Sequence, residues 1–149
     1  MSDVLYQKTQ PGTTIVLGIL GALVLTSVAA IQRGLWTQLV VTVIALLLLL
    51  AVFSTLTIRV TPASIEWWLS FGVLRQRIPL ADIDTVSSCK VTLLQGLGIR
   101  TNNFRDWMWN VSGTNAVDVR RSNGRHVVLG SPDAAGVIQA INAARKTPG

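Results

Sequence analysis

The chain has very few of the side chains that carry most catalysis and metal binding. Its 149 residues include one cysteine, Cys89, and one histidine, His126. A single cysteine excludes an intrachain disulfide and is typical of a reducing compartment, and one Cys with one His cannot build a zinc site. Asp82 and Asp84 lie at the start of a predicted strand. Carboxylates in such a position are more often exposed to solvent than arranged as a general acid and a general base. We therefore expect no metal, no cofactor and no enzymatic activity.

Charge is missing from two long apolar stretches near the N-terminus. Neither the stretch from Thr13 nor the one from Trp36 contains an ionisable side chain, and each is long enough to cross a ~30 Å hydrocarbon core, which takes roughly 20 residues. Every backbone N–H and C=O inside hydrocarbon needs an internal partner, so both stretches are predicted to be helices. The sequence predicts a transmembrane hairpin over residues 13–56, with helices at 13–32 and 36–56, after an N-terminal tail over 1–12.

Two features of the first stretch have more than one interpretation. Ser27-Val28-Ala29 resembles a signal-peptide cleavage site, but the stretch exceeds the usual apolar region of about 7–15 residues and a second span follows.

Small residues also recur at every fourth position on one helix face. This pattern predicts either close packing against the second helix or a seam between two copies of the chain. The residues are Gly18, Ala22, Thr26 and Ala30.

Basic residues predict which side of the membrane the chain ends face. Lys8 precedes the first helix and Arg59, Arg75 and Arg77 follow the second, whereas Arg33 alone lies in the connecting loop. The positive-inside bias then predicts a multi-pass protein of the cell (inner) membrane with both termini in the cytoplasm. The same bias, with attraction to anionic lipid, explains the net charge of +6 more simply than nucleic-acid binding, so no nucleic-acid partner is expected.

Beyond residue 57 the apolar pattern changes to the alternation of short strands. We predict strands at 57–61, 64–70, 74–80, 83–91, 107–111, 116–121 and 125–129, with turns at Phe71-Gly72 and Asn123-Gly124. Ser131 as N-cap and Pro132 at the first helical position then open an amphipathic helix. Its apolar stripe is Ala134, Val137, Ile138, Ile141 and Ala144. The domain is expected over 57–146, with a frayed tail at 147–149.

Five short motifs span this second part of the chain. They are GVLRQRIPLADI from Gly72, GLGIR from Gly96, WNVSG from Trp109, AVDV from Ala116 and GRHVVLGSPD from Gly124. With them, residues 57–144 resemble a bacterial pleckstrin-homology (PH) domain of the membrane-anchored type. The resemblance implies about seven antiparallel strands in a bent sandwich or partly open barrel, capped by a C-terminal α-helix. It implies little about activity, because the fold hosts many roles.

Arg75 and Arg77 are the first candidate binding residues, because alternate residues of a strand project from one face. Phosphoinositide-binding relatives hold phosphates with a similar R-x-R pair. In the alternative interpretation, the predicted hairpin places Trp68 opposite Arg75 and Glu66 opposite Arg77. A cation–π contact and an ion pair would then occupy both arginines. In that register Gln76 is an unexplained polar residue among residues that face the core, which are Ile65, Trp67, Leu69, Leu74 and Ile78.

Two further groups are rich in arginine. Between residues 97 and 109, basic and aromatic side chains interleave, which suits binding of a lipid headgroup, an acidic partner or a nucleic-acid base. The alternative is that the tryptophans face the core. Three arginines surround the Asn123-Gly124 turn, either as a solvated edge or as a surface against anionic lipid. All the candidate binding residues are Arg75, Arg77, Arg100, Arg105, Trp107, Arg120, Arg121 and Arg125.

These observations predict a non-catalytic integral membrane protein. Its cytoplasmic PH-like domain is expected to bind or scaffold a protein partner, or a second copy of the chain, at the bilayer, where high local concentration lets weak contacts suffice. The alternative function is a sensor of an anionic lipid headgroup or a small acidic ligand, using Arg75, Arg77 and the loop that carries Arg100. No small-molecule substrate is identified.

Overall fold

A computed structural model of the chain describes residues 4–92, 98–102 and 106–146. A strand, β1 (Tyr6–Pro11), precedes two long helices, α1 (Thr13–Gln32) and α2 (Trp36–Phe53), and a third helix, α3 (Ala134–Lys146), follows the last strand. Between α2 and α3 the described chain forms eight strands. They are β2 (Thr55–Val60), β3 (Ser64–Leu69), β4 (Gln76–Pro79), β5 (Ile83–Lys90), β6 (Gly98–Asn102), β7 (Asp106–Asn110), β8 (Asn115–Arg121) and β9 (His126–Gly130).

The two apolar stretches are helices that pack against each other. They have 20 and 18 residues, and both are long and apolar enough to cross a membrane. The second ends at Phe53 and not at residue 56, because the chain from Thr55 pairs in a sheet. Around Gly18 no atom lies within 4 Å of the position a Cβ would take, so the small-residue face does not contact α2 there. A seam between two copies stays a prediction.

The strands form two sheets. The first has the order β1-β2-β3-β4 and is antiparallel throughout; the second has the order β5-β8-β9-β7-β6 and contains one parallel pair, β7 with β9. The described chain thus has nine strands, where the sequence predicted about seven that were all antiparallel. The additional strands are β1, predicted to be a tail, and β6, predicted to be part of a loop. Both lie at a sheet edge and are largely polar in sequence, so apolar alternation did not mark them.

The pairing of β1 with β2 joins the two ends of the helical hairpin. Pro11 lies opposite Thr55, and the Gly12 N–H donates to the Ser54 carbonyl at 2.7 Å. A Cβ at Gly12 would stand 2.5 Å from the Phe53 carbonyl oxygen, so this position requires glycine for close approach. Both helices therefore leave the β-rich domain from the same end of one sheet.

The core lies between the sheets and is covered by α3. The predicted stripe of α3 faces it, with Val137, Ile141 and Ala144 buried. The N-cap is Asp133 and not Ser131, because the Asp133 carboxylate accepts from the Gly136 N–H at 3.0 Å and its carbonyl accepts from Val137. Residues 147–149, predicted to be frayed, lie outside the described residues.

Candidate functional site

A cleft of about 190 Å³ opens between the two sheets. Strands β3 and β4 line it from the first sheet, and β7, β9 and the β8–β9 hairpin line it from the second. We call it the tryptophan–arginine cleft. Its lining residues are Trp67, Gln76, Ile78, Trp107, Trp109, Arg121, Arg125 and Val127.

Three of the residues that line the cleft are tryptophans. Trp67 and Trp109 are buried and meet edge to face, with ring centroids 6.2 Å apart and planes at 72°, an arrangement that aromatic pairs favour. Trp107 lies two residues before Trp109 on the same strand face, and 45% of it is exposed. The rings therefore form an aromatic floor that continues to the solvent-exposed mouth.

Two N–H groups in the cleft have no hydrogen-bond acceptor among the described residues: the Trp67 Nε1–H and the Arg121 Nε–H, both buried. Leaving a buried donor unpaired costs roughly 1–3 kcal/mol, so such groups are uncommon in folded proteins. The outer part of Arg121 is held by Asp82, with Nη2 at 3.1 Å from Oδ2. Both donors belong to residues that line the cleft.

The β8–β9 turn places a second guanidinium beside the first. The Asn123 side chain accepts from the Arg125 N–H at 3.0 Å, and Gly124 adopts φ 78°, as a tight hairpin requires. Within the described part of the chain, no hydrogen bond or ion pair engages the Arg125 guanidinium. Among the described residues that line the cleft, two are therefore cationic and none is a carboxylate.

Arg75 and Arg77 lie elsewhere, on the outer face of the first sheet. Both pair with the nearly buried Glu66, and Glu66 lies opposite Arg77 in the register that the sequence predicted. Trp68 lies between two guanidinium groups, with Arg75 at 5.1 Å and Arg59 at 5.3 Å from its ring centroid. The predicted cation–π contact and ion pair are therefore both present.

In the β3–β4 hairpin, the prediction that Leu74 faces the core is wrong, and Gln76 has a place that the sequence did not indicate. Leu74 does not face the core: it has φ 54° and is 49% exposed, because the chain turns over residues 70–74 before β4 begins. Ile65, Trp67, Leu69 and Ile78 are buried as predicted. Gln76, the polar residue without a predicted role, lines the tryptophan–arginine cleft.

The other candidate residues are spread over separate surfaces. Arg120 donates from Nε to His126 Nε2 at 3.2 Å, and His126 Nδ1 lies 3.4 Å from Asp118, so these residues pair outside the cleft. Arg100 belongs to β6, opposite Met108, and Arg105 lies outside the described residues. Of the eight candidates, the structure brings together Trp107, Arg121 and Arg125.

Sequence reasoning did not select Trp67 or Gln76 as site residues. The signal for Trp67 was the doublet with Trp68, because neighbouring strand residues face opposite sides and one of two adjacent indoles must point inward. The residues next to Trp67 in the sequence do not indicate that its N–H lacks an acceptor. That depends on strands of the second sheet, more than 30 residues away along the chain.

The described residues that line the cleft are mainly hydrogen-bond donors. They include indole, guanidinium and amide groups, all of which donate, and among them there is no histidine, cysteine, hydroxyl or carboxylate. Among the described residues, no group of three or more His, Cys, Asp or Glu side chains could hold a metal ion. Asp82, a weak candidate for acid–base work, is engaged by Arg121.

The chain matches no protein-family model, no curated protein and no solved structure in the comparisons made. The resemblance to PH domains therefore stays a prediction, and functional inference rests on the geometry of this chain.

Proposed function

We propose that this protein is a non-catalytic, membrane-anchored binding protein whose PH-like domain takes an acidic group in the tryptophan–arginine cleft. The observation that carries the proposal is a pair of buried donors that have no acceptor among the described residues, the Trp67 Nε1–H and the Arg121 Nε–H. An oxyanion is the group that two such N–H donors and the nearby Arg125 would bind best, because charge-assisted hydrogen bonds are about twice as strong as neutral ones.

The shape of the cleft narrows the ligand further. Its aromatic floor, formed by Trp67, Trp107 and Trp109, favours an apolar or aromatic body attached to the acid. Its volume of about 190 Å³ suits a small acidic ligand or a single acidic end group. The scaffolding of a protein partner, which the sequence suggested first, stays a prediction.

Membrane anchoring is supported by the two apolar helices and by how they join the domain. The helices are long and apolar enough to span, and large apolar side chains along them are exposed. Paired strands β1 and β2 connect to the two ends of the hairpin, so one sheet would hold both crossings on the same side. We place that side in the cytoplasm, following the basic residues that flank the helices.

Binding of phenyl phosphate tests the ligand chemistry directly. The full chain, ¹⁵N-labelled at tryptophan and held in detergent micelles, gives one indole N–H resonance for each of its five tryptophans. Phenyl phosphate should shift the resonance of Trp67 most, because Trp67 lines the cleft and its N–H has no acceptor among the described residues. Phenol, which lacks the charge, and inorganic phosphate, which lacks the ring, should each bind more weakly.

Matched arginine variants give the control. Arg125→Gln removes a cleft cation that has no partner among the described residues, and we expect a loss of affinity of about tenfold, the equivalent of 1.4 kcal/mol. Arg77→Gln removes an arginine on the outer sheet face and should leave the affinity unchanged. The proposal is wrong if Arg125→Gln binds like the unmodified protein, or if phenyl phosphate shifts the Trp68 resonance and leaves that of Trp67 in place.

A further inference from the structure

The turn between β3 and β4 exposes a group of apolar side chains. Phe71 is 91% exposed, more than any other large apolar residue in the described chain, and Leu74 and Val73 are 49% and 37% exposed. We call residues 70–74 the Phe71 turn. Isolated apolar residues at a surface are ordinary, but contiguous ones commonly mark an interaction site.

The backbone of the Phe71 turn holds these side chains outward at a conformational cost. Phe71 and Leu74 have φ values of 57° and 54°, in the left-handed region that non-glycine residues avoid, and Gly72 between them has φ 78°. Glycine or asparagine would adopt this backbone more readily. A turn that combines a disfavoured backbone with exposed phenylalanine and leucine is typical of a functional surface.

The position of the turn indicates its partner. Ser70, the first residue of the turn, lies against the end of α2: its Oγ is 2.7 Å from the Ser54 Oγ and accepts from the Thr55 N–H at 3.0 Å. Ser54 is the C-cap of α2, directly after its last residue, Phe53. The exposed apolar residues are therefore attached directly to the end of an apolar helix.

Helix length fixes where a bilayer boundary would fall. With 18 residues, α2 is about 27 Å long, slightly less than a hydrocarbon core of about 30 Å. A helix this short has no length to spare beyond the core, so its end at Phe53 must lie at the boundary when it spans. The Phe71 turn, held against that end, then lies at the same depth.

We infer that Phe71, Val73 and Leu74 insert into the lipid bilayer beside α2, at the boundary between headgroups and acyl chains. This inference rests on the proposed membrane anchoring, because it requires α2 to span. A third attachment point beside the two helices restricts rotation of the domain. The tryptophan–arginine cleft would then keep a constant orientation to the membrane surface.

Spin labelling of the full chain in phosphatidylcholine–phosphatidylglycerol liposomes tests the inference. Cys89 is the only cysteine, so Cys89→Ser gives a background in which single cysteines can be labelled. The test position is Phe71→Cys. Asn123→Cys, at the tip of the other hairpin turn, is the aqueous control, and Ile44→Cys, exposed near the middle of α2, reports whether the helix spans.

Collision with oxygen, which concentrates in lipid, and with a nickel chelate, which stays in water, measures the depth of each label. We expect the Phe71 label to lose nickel access relative to the Asn123 label and to gain oxygen access, with the Ile44 label deeper still. If the Ile44 label is in lipid while the Phe71 label is as open to nickel as the Asn123 label, the inference fails and the anchoring stands. If the Ile44 label is itself open to nickel, the proposed anchoring fails.

A contact with a second copy of the chain gives a different result. The Phe71 label would then be shielded from both reagents and would show spin–spin broadening that disappears on dilution with unlabelled protein. That outcome would overturn lipid insertion in favour of self-association.

Discussion

Two arginine pairs in this protein look alike in sequence and differ in their surroundings. Arg75 and Arg77 share the carboxylate of Glu66, and Arg75 also stacks on Trp68. At the tryptophan–arginine cleft, Arg121 keeps a buried Nε–H without a partner, and the Arg125 guanidinium has none among the described residues. Both arginines of the first pair are engaged by the fold, whereas in the second pair the fold leaves the Arg121 Nε–H and, among the described residues, the Arg125 guanidinium without a partner.

We therefore select a candidate binding site by the donors that the fold leaves unsatisfied, and not by positive charge alone. Judged by positive charge alone, Arg75 and Arg77 would be as good a candidate binding site as the two arginines of the cleft. The neighbouring residues Trp67 and Trp68 of β3 differ in the same way. Trp68 lies between two cations on the outer face, whereas Trp67 lines the cleft and its buried N–H has no acceptor among the described residues.

The largest effect on stability is expected at Trp67. Trp67→Ala removes a side chain that is 3% exposed and leaves a cavity beside Trp109, so the free energy of unfolding should fall by about 3–5 kcal/mol. Chemical unfolding of the full chain in detergent measures this change. Trp67→Phe keeps most of the volume and removes the N–H; it should lower stability much less and still weaken phenyl phosphate binding. If Trp67→Phe binds phenyl phosphate as tightly as the unmodified protein does, the open N–H of Trp67 does not contribute to binding, and the cleft no longer differs from the outer sheet face in this respect.

A smaller effect is expected at the neighbouring tryptophan. Trp68→Ala removes the ring between Arg59 and Arg75, and each cation–π contact at an exposed site contributes about 0.5–1 kcal/mol. We expect a loss of about 1–2 kcal/mol with phenyl phosphate affinity unchanged. A loss as large as that of Trp67→Ala would mean that the outer face contributes to the core, contrary to the comparison.

Glu66→Gln should have a still smaller effect. The carboxylate is nearly buried, but Arg75 and Arg77 are more than half exposed, so solvent screens the pairs and their loss should cost at most about 1 kcal/mol. The difference in unfolding free energy between Glu66→Gln and the unmodified protein should shrink at 1 M salt, where the screening length is about 3 Å. A difference that is independent of salt would contradict an ionic origin.

The features that could be predicted from the sequence are those encoded locally. The absence of charge over residues 13–31 and 36–56 predicted both helices, and apolar spacing predicted the buried stripe of α3. The Phe71-Gly72 turn set the register of the β3–β4 hairpin and with it the Glu66–Arg77 pair. In each case the signal and the structure lie within a few residues of each other.

The missed features depend on partners far away in the chain. Strand β1 consists largely of polar residues and has no apolar alternation; it becomes a strand because β2 offers an unpaired edge 48 residues later, where Thr9 and Thr57 share a hydrogen bond. The cleft likewise combines residues from strands that are adjacent only in the folded protein. Local patterns identified Trp107, Arg121 and Arg125 as separate candidates without indicating that they meet.

A polar cluster between β1 and α3 is a third place where the fold engages charged side chains, and its contribution to stability should depend on pH. Tyr6 donates to the Asp133 carboxylate at 2.9 Å, and Lys8 lies 3.6 Å from it, so β1 is tied to the start of α3. Burial first, and then the hydrogen bond and charge of Asp133, raises the pKa of Tyr6 to about 12. The hydrogen bonds from Tyr6 and from the Gly136 N–H lower the pKa of Asp133.

Tyr6 is the only tyrosine in the chain, so the absorbance of tyrosinate near 295 nm reports its ionisation directly. Because its pKa in the folded protein lies above the ordinary value of about 10, its contribution to stability is complete below pH 10 and is lost as the pH rises from 10 to about 12. Tyr6→Phe should abolish this alkaline loss. Asp133→Asn removes the charge but not the burial, so it should bring the midpoint of Tyr6 below 12 and keep it above 10. A midpoint at 10 in the unmodified protein would show that β1 is not attached to α3 through this bond.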